Sequence, residues 1–180
     1  GVLATVRKAA LRLAELAKKH GAVVVAGGAD PTARPKAYLE GHAGRGPVVD
    51  VVVRGEGEET ILELLPVLLQ HGVDPAALSG VDGIAYRGAE GQICITESCS
   101  LIADIDRLPF PARDLIDVEA YRRAWRAQHP HFSMSIITSR GCPYQCAWCQ
   151  KIVFGRSFRP RSPHAVAQEM RLIKNEYDPD

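Results

Sequence analysis

Three of the five cysteines of this chain lie within eight residues of one another, in the segment TSRGCPYQCAWCQK (138–151). Cys142, Cys146 and Cys149 have the spacing C-x3-C-x2-C. Thiolates placed so closely are typical ligands of zinc and of iron–sulfur clusters. A 4Fe–4S cluster is usually held by four thiolates, so three would leave one iron open to another ligand. Gly141 and Pro143 are the turn residues that a tight loop around such a cluster needs.

A zinc site is the main alternative for these thiols, because structural zinc takes four Cys or His ligands. No fourth cysteine lies at a usual spacing, but a histidine could complete a Cys3His site, and the candidates are His129, His131 and His164. A disulfide would leave one thiol over and is rare in a reducing compartment. Chance placement of inert thiols is the remaining alternative. We interpret Cys94 and Cys99 as non-ligands, Cys94 being a small buried side chain.

The composition is that of an ordinary globular protein, with 180 residues, 46% of them hydrophobic and 24% charged, and a net charge of +1. It predicts one or two domains with a substantial core. No apolar run approaches the roughly 20 residues that a membrane span needs, and the first residues lack a signal-peptide pattern. We therefore expect a cytoplasmic protein without a membrane span. Because the chain begins inside a helical pattern and ends at a turn, we also expect missing sequence at both ends.

The first 72 residues predict alternating helices and buried strands. An amphipathic helix comes first, since its apolar residues recur every three or four positions. The apolar, β-branched runs at 22–28 and 49–53 are typical of strands in a parallel sheet. A weak helix is predicted near 35–41, and a longer one begins at about Glu58, where Pro66 should kink or shorten it. This order is half of a doubly wound α/β domain.

The rest of the chain changes character. Alternating runs around two glycines predict a β-hairpin at 83–96. A proline-rich linker follows, and then MSIITS (134–139) predicts another buried strand. This strand leads into the cysteine loop, and chemistry in parallel α/β folds is placed at that end of a strand. Ser162 and Pro163 are a good N-cap and first residue for a helix over 163–177.

One segment is entirely basic: from Ala120 to Gln168 there are eight Arg and Lys residues and no Asp or Glu. A solvated basic surface is the simplest interpretation. The functional interpretation is an electropositive site for an anionic partner.

Together these residues resemble the radical S-adenosylmethionine (SAM) enzymes that carry an N-terminal cobalamin-binding domain. The cysteine loop, with Trp148 before its last cysteine, resembles their signature loop. VVVAGGADPT and VVDVVVRGEGEETILELL resemble the last two units of the cobalamin domain, and ADIDRLPFPARDLID resembles the interdomain linker. The resemblance covers nearly the whole chain. It implies an α/β protein with part of a Rossmann-like cobalamin domain at 1–75, a hairpin and linker at 76–132, and the first β/α unit of a TIM-type radical SAM barrel at 133–180.

The resemblance also implies roles for the loop residues. Cys142, Cys146 and Cys149 would hold a 4Fe–4S cluster, and SAM would bind the open iron through its amino and carboxylate groups. An electron from a reductant such as flavodoxin or ferredoxin would cleave SAM, and the resulting 5′-deoxyadenosyl radical would abstract hydrogen from a small-molecule substrate. Trp148 would contact the adenosyl group, with Gly141 in the same cofactor site. Core packing is the alternative role for Trp148, and no catalytic residue is identified.

In the cobalamin half, the resemblance implies that Gly27 and Gly28 let the backbone approach the nucleotide tail of the cofactor. Gly55 and Glu56 would lie in the neighbouring loop, and ordinary turn geometry is the alternative. The chain reads GGAD at 27–30 where many family members read GGPH. The Asp-x-His-x-x-Gly segment that often carries the lower cobalt ligand does not occur. We therefore expect cobalamin in the full-length protein. For this chain alone we expect weak cobalamin binding or none, poor solubility or aggregation, and no turnover.

The predicted function is that of a radical SAM enzyme performing methyl transfer, cyclisation or a related modification of an organic substrate. A methylthiotransferase of RNA or protein is one alternative, but it should carry further cluster cysteines in its N-terminal domain, and residues 1–93 contain none. A zinc-stabilised, basic nucleic-acid-binding module is another. It lacks the regular aromatic series that stacks on bases, so we do not expect a nucleic-acid partner. A corrinoid carrier without catalysis would leave the three cysteines unexplained.

Overall fold

The computed structural model describes residues 4–41 and 46–180. The chain divides into two compact units, of which the first comprises Gly1–Leu101 with Tyr144–Gly155 and the second comprises Ile102–Pro143 with Arg156–Asp180. Within the described residues, none of the helices combines the length and the apolar character that crossing a membrane requires.

The first unit alternates helices and strands as the sequence predicts. A 3-10 turn leads into the amphipathic helix, and the longest helix continues through Pro66, so that proline does not shorten it. Two short helices, Ala29–Ala33 and Pro75–Leu78, were not predicted. The elements in chain order are α1 (Arg7–Lys19), β1 (Val25–Gly27), α2 (Ala29–Ala33), α3 (Pro35–Leu39), β2 (Val51–Val53), α4 (Gly57–His71), α5 (Pro75–Leu78), β3 (Ile84–Arg87) and β4 (Ile93–Ile95).

Strands β1 to β4 form one sheet in that order. β1 and β2 are parallel, with Gly27 opposite Val53. The predicted hairpin is confirmed as β3 and β4, and it adds to the sheet because β3 pairs antiparallel with β2. The sequence did not predict that pairing. Since parallel strands end at the same edge of a sheet, the loops that follow Gly27 and Val53 open on one edge, as expected.

Helices cover both faces of this sheet. Val52 faces a core cluster that includes Leu39 of α3, whereas Val51 and Val53 face a second cluster that includes Leu64 of α4. Successive strand residues point to opposite faces, so the β-branched run VVV fills both cores. Burying each such side chain stabilises the fold by about 1.5–3 kcal/mol. The predicted doubly wound layering is therefore confirmed for the described part of this unit.

The second unit contains two 3-10 turns, two helices and a short two-stranded ladder. The predicted C-terminal helix is confirmed with its cap, because Ser162 Oγ accepts a hydrogen bond from the N–H of Ala165 at 3.1 Å. The elements in chain order are the 3-10 turns Ile105–Arg107 and Arg113–Leu115, α6 (Val118–Arg126), β5 (Ser139–Arg140), β6 (Arg159–Pro160) and α7 (Pro163–Tyr177).

Helix α6 lies where the sequence predicted only a linker. Asp117 caps it, since its Oδ1 accepts a hydrogen bond from the N–H of Ala120 at 2.8 Å. Val118 at its first position is buried. An Asp before an apolar residue that recurs at helical spacing is a usual N-terminal signal. The nearby Pro109 and Pro111 are typical of a linker and led to that prediction.

The predicted strand at 134–139 is wrong for most of its length. Regular pairing is limited to Ser139 and Arg140, and Ile137 is 58% exposed instead of buried. A strand is defined by hydrogen bonds to a neighbour. In the described residues the neighbour is β6, which pairs only with Ser139 and Arg140. The β-branched character of Ile136, Ile137 and Thr138 indicated a strand without supplying a partner.

Candidate cofactor and cluster site

The loops at the edge of the sheet depend on glycine at two positions. Gly28 has a φ of 109° and Gly55 a φ of 75°, in the left-handed region that residues with a Cβ rarely adopt. The N–H of Gly55 donates a hydrogen bond to Thr32 Oγ1 at 3.1 Å, which ties the loop after β2 to α2. The structure therefore brings the two predicted cofactor loops together.

Gly27 and Glu56 flank these two positions. A Cβ at Gly27 would lie 3.6 Å from the carbonyl oxygen of Val53, which is an ordinary contact, so strand packing alone does not require glycine there. Glu56 is buried and immediately precedes α4, whose first turn also contains Glu58 and Glu59. Acidic groups at that place favour the helix because its N-terminus carries partial positive charge.

Asp30, the last residue of the GGAD segment, is buried in an ion pair that the sequence did not reveal. Nε and Nη2 of Arg7 each donate to its carboxylate at 2.5 Å, and the hydroxyl of Tyr38 donates to Oδ2 at 2.6 Å. The hydrogen bonds from Arg7 lower the pKa of Asp30. Burial, with the hydrogen bond to Asp30, raises the pKa of Tyr38 to about 12. This cluster anchors the loop after β1 to α1 and α3.

The three closely spaced cysteines are free thiols, as are the other two. Cys142 is half-buried, whereas Cys146 and Cys149 are exposed, and the N–H of Cys149 donates to the carbonyl of Cys146 at 3.1 Å. Cys142 is grouped with the second compact unit, and the other two are grouped with the first. Across residues 4–41 and 46–180, no three His, Cys, Asp or Glu side chains are gathered as ligands of one metal ion. By donor chemistry, three reduced thiols suit an iron–sulfur cluster.

Trp148 is 88% exposed, so it does not pack into a core formed by the described residues. Gly141 is half-buried and directly follows β5. The backbone before and after the cysteine segment is fixed by the β5–β6 ladder, in which Arg140 lies opposite Arg159. The N–H of Arg161 adds a bond to the carbonyl of Thr138 at 2.8 Å.

The two remaining cysteines lie apart from that segment in sequence. Cys94 is half-buried in β4, and Cys99 Sγ lies 3.1 Å from Thr60 Oγ1. A hydroxyl neighbour and partial burial are ordinary surroundings for an inert thiol.

A second buried carboxylate, Glu169 on α7, was also missed. Arg113 and Arg161 both pair with it. The helical spacing indicated a buried acid, because Glu169 lies on the same helical face as Val166 and Ile173. An acid on an apolar face is usually paired when it is buried.

Two similar curated proteins decide the family. The chain is 32% identical over 171 residues to an uncharacterized methyltransferase of Pyrococcus horikoshii, in an alignment that covers 93% of this chain and 34% of the relative. It is 33% identical to the cobalamin-dependent radical SAM methyltransferase TokK of Streptomyces tokunonensis, with 77% of this chain and 19% of TokK covered. The chain belongs to the cobalamin-dependent radical SAM family. No protein-family model matches it.

Other members of this family extend the comparison. The chain is 33% identical to the anaerobic magnesium-protoporphyrin IX monomethyl ester cyclase of Rubrivivax gelatinosus, over 73% of this chain and 23% of the cyclase. The structure of the radical enzyme OxsB, solved with aqua-cobalamin and SAM bound, matches 96% of this chain and 23% of OxsB. Its TM-score is 0.71 at 22% identity, which confirms the predicted fold class. The chain spans about a third or less of the length of these relatives.

Proposed function

We propose that the full-length protein is a cobalamin-dependent radical SAM enzyme that transfers a methyl group to a small organic substrate. The observation that carries this proposal is the C-x3-C-x2-C set of free thiols in a chain 33% identical to TokK. Ring formation is the second candidate, because the magnesium-protoporphyrin cyclase is equally similar. The comparisons support neither a methylthiotransferase nor a nucleic-acid-binding module.

In this proposal Cys142, Cys146 and Cys149 bind a 4Fe–4S cluster as thiolates. When bound, such a cluster supplies the single electron that cleaves SAM. The exposed indole of Trp148 is available to pack against the adenosyl group. Gly141 has a φ of 73°, in the left-handed region, which lets the backbone turn at the start of the cysteine segment. The purely basic segment around these residues favours both the anionic cluster and the carboxylate of SAM.

The glycine loops form the second part of the proposed site. Gly27 and Gly28 at the end of β1 lie at the same sheet edge as Gly55 and Glu56 at the end of β2. Ligands of open α/β sheets bind at the carboxyl ends of the strands. The nucleotide tail of cobalamin would therefore lie along this edge, and the Asp30 ion pair holds α2, which follows Gly28, in place.

The remaining parts of the proposal concern the whole protein. Its parts are a cobalamin domain that includes residues 1–75, a hairpin and linker at 76–132, and a barrel that begins at 133–180. A flavodoxin or ferredoxin in the cytoplasm would provide electrons, in keeping with the free thiols. Because the chain spans a minor share of its relatives, we expect it to lack turnover by itself.

Anaerobic reconstitution with iron and sulfide tests the proposal. We expect about four irons and four sulfides per protein, with the broad visible absorption of a 4Fe–4S cluster. Stoichiometric zinc in tetrahedral thiolate coordination, in protein purified without air, would contradict it.

A further inference from the structure

A buried carboxylate in the second unit pairs with two arginines. Glu169 is 1% exposed. Its Oε1 accepts a hydrogen bond from Arg113 Nη2 at 2.6 Å, and its Oε2 pairs with Arg161 Nη1. Burial alone would raise the pKa of Glu169, but the hydrogen bonds from Arg161 and Arg113 outweigh it, so the pKa is lowered. Glu169 is therefore ionised at neutral pH, and these three residues form the Glu169 ion triad.

Both arginines of the Glu169 ion triad also donate to the backbone that leads to the cysteine segment. Arg113 Nη2 donates to the carbonyl of Ser135 at 3.1 Å, and Arg161 Nη1 donates to the carbonyl of Ile137 at 3.3 Å. In a strand, carbonyls two residues apart point to the same side. In the described part of the chain, however, neither Ser135 nor Ile137 belongs to a strand. Arginine side chains therefore supply hydrogen bonds that a neighbouring strand usually supplies.

Arg161 also connects the two ends of the cysteine segment. It directly follows β6, and its N–H donates at 2.8 Å to the carbonyl of Thr138, which directly precedes β5. A second carboxylate, that of Asp106, is more distant, with its Oδ1 3.8 Å from Arg161 Nε. Cys142 comes four residues after Thr138. The backbone on both sides of the cysteines therefore depends on the position of Arg161, which Glu169 holds.

Stability alone does not explain a buried ion triad. Removing charges from water costs free energy that their mutual attraction offsets only in part, so apolar side chains of similar volume often stabilise a fold as well. Apolar side chains cannot, however, fix the direction of hydrogen-bond donors. The planar guanidinium of arginine presents several donors at fixed angles, so one carboxylate can orient two such groups toward defined acceptors.

We propose that Glu169 is a positioning residue for the cluster site. Through Arg113 and Arg161 it fixes the backbone at 135–138, and that backbone determines where β5 places Cys142 relative to β6. Glu169 acts through the two arginines and is not itself a ligand. This inference rests on the proposed function, because it gives the fixed backbone a role in holding Cys142 as a cluster ligand.

Hydrogen exchange of the full-length protein without iron tests whether Glu169 fixes this backbone. Glu169→Gln keeps the shape of the side chain but removes the charge that orients both arginines. We expect the N–H of Arg161 to exchange about fivefold faster or more, because its hydrogen bond to Thr138 opens more often. Amides of α6 and β2 should exchange as in the unmodified protein. Glu176→Gln, at an exposed position of the same helix, is the matched control and should leave all these rates unchanged.

Iron loss from the reconstituted full-length protein tests the consequence for the cluster. In EDTA, Glu169→Gln should lose iron several-fold faster than the unmodified protein or Glu176→Gln, because Cys142 is held less firmly. The electron paramagnetic resonance signal of its reduced cluster should also be broader, since the position of one ligand varies.

Thermal unfolding must show that Glu169→Gln is folded. If it is not, Arg161→Lys decides the question, since lysine keeps a charge for Glu169 but lacks the planar fork that reaches two acceptors. The same changes in exchange and iron loss are then expected. Arg171→Lys, at an exposed position of α7, is the matched control for that variant.

Three results would overturn the proposal. In the deciding variant, the N–H at position 161 could exchange as slowly as in the unmodified protein, exchange could rise equally throughout the second unit, or iron could be lost at the unmodified rate. Absence of a cluster in the unmodified protein would instead contradict the proposed function. The exchange comparison needs no iron and would still decide whether Glu169 fixes the backbone, so the two proposals fail separately.

Discussion

The sheet of the first unit and the cysteine segment between β5 and β6 are built in different ways. In the sheet, Val51 and Val52 are fully buried between helices, and the glycine loops at its edge are fixed by strand pairing and the Asp30 ion pair. Between β5 and β6 the described backbone contains only turns and bends, and Tyr144 and Trp148 are largely exposed. Hydrophobic packing thus determines the first geometry, whereas for the second we propose that the group bound by the thiols determines it.

The largest expected effect is in the cysteine segment. Changing Cys142, Cys146 or Cys149 singly to Ala should abolish the reconstituted cluster, because each removes one of three protein ligands. The Cys94→Ala and Cys99→Ala variants are the controls and should retain the cluster. Iron and sulfide analysis after anaerobic reconstitution measures the cluster content of both groups of variants. A stable four-iron cluster in any of the first three variants would show that this segment is not its site.

In the sheet, the largest loss of stability should come from a change in core packing. Leu64 is fully buried against β2 and β3, so Leu64→Ala should cost about 2–5 kcal/mol of unfolding free energy. Ile137→Ala, at a half-exposed position near the cysteines, should change stability by no more than about 0.5 kcal/mol. Urea unfolding followed by circular dichroism compares them. Equal losses of unfolding free energy in the two variants would show that the two regions do not differ in how packing stabilises them.

The Asp30 ion pair gives the sheet a sensitivity to acid. Asp30→Asn should cost about 1.5–3 kcal/mol at neutral pH, because it weakens charged hydrogen bonds in a buried site. The folded pKa of Asp30 is lowered, so this stabilisation is present above the unfolded pKa of about 3.9 and is lost as pH falls through the folded pKa. Unfolding curves of both proteins, recorded at pH 7 and at stepwise lower pH from 4 downwards, should therefore converge only below the folded pKa. A difference that persists unchanged in acid would argue against the ion pair.

The smallest expected effect concerns the conformation of one loop. Gly55→Ala forces a Cβ into the left-handed region without a steric contact, so it should cost about 1–2 kcal/mol. Gly80→Ala, where φ is not in that region, is the matched control and should be neutral or slightly stabilising. Thermal unfolding compares the stabilities of the two variants. In the full-length protein, Gly55→Ala should also weaken cobalamin binding, whereas Gly80→Ala should not.

Local signals were predictable from the sequence, and long-range pairs were not. Helix α7 and the hairpin were predicted because a capping serine and two turn glycines lie within the elements that they define. The Arg7–Asp30 pair spans 23 residues and the Arg113–Glu169 pair spans 56. The apolar helical face around Glu169 indicates a paired acid, but no local pattern identifies which arginine pairs with it. The strand at 134–139 failed for the same reason, since pairing depends on a distant neighbour.

The most direct test of the central claim is whether the three-cysteine cluster leaves one iron open to SAM. The full-length protein would be reconstituted anaerobically and reduced, and its electron paramagnetic resonance spectrum would be recorded before and after addition of SAM. We predict the signal of a reduced 4Fe–4S cluster that changes when SAM is added and is missing in Cys146→Ala. A spectrum that SAM leaves unchanged would contradict the claim.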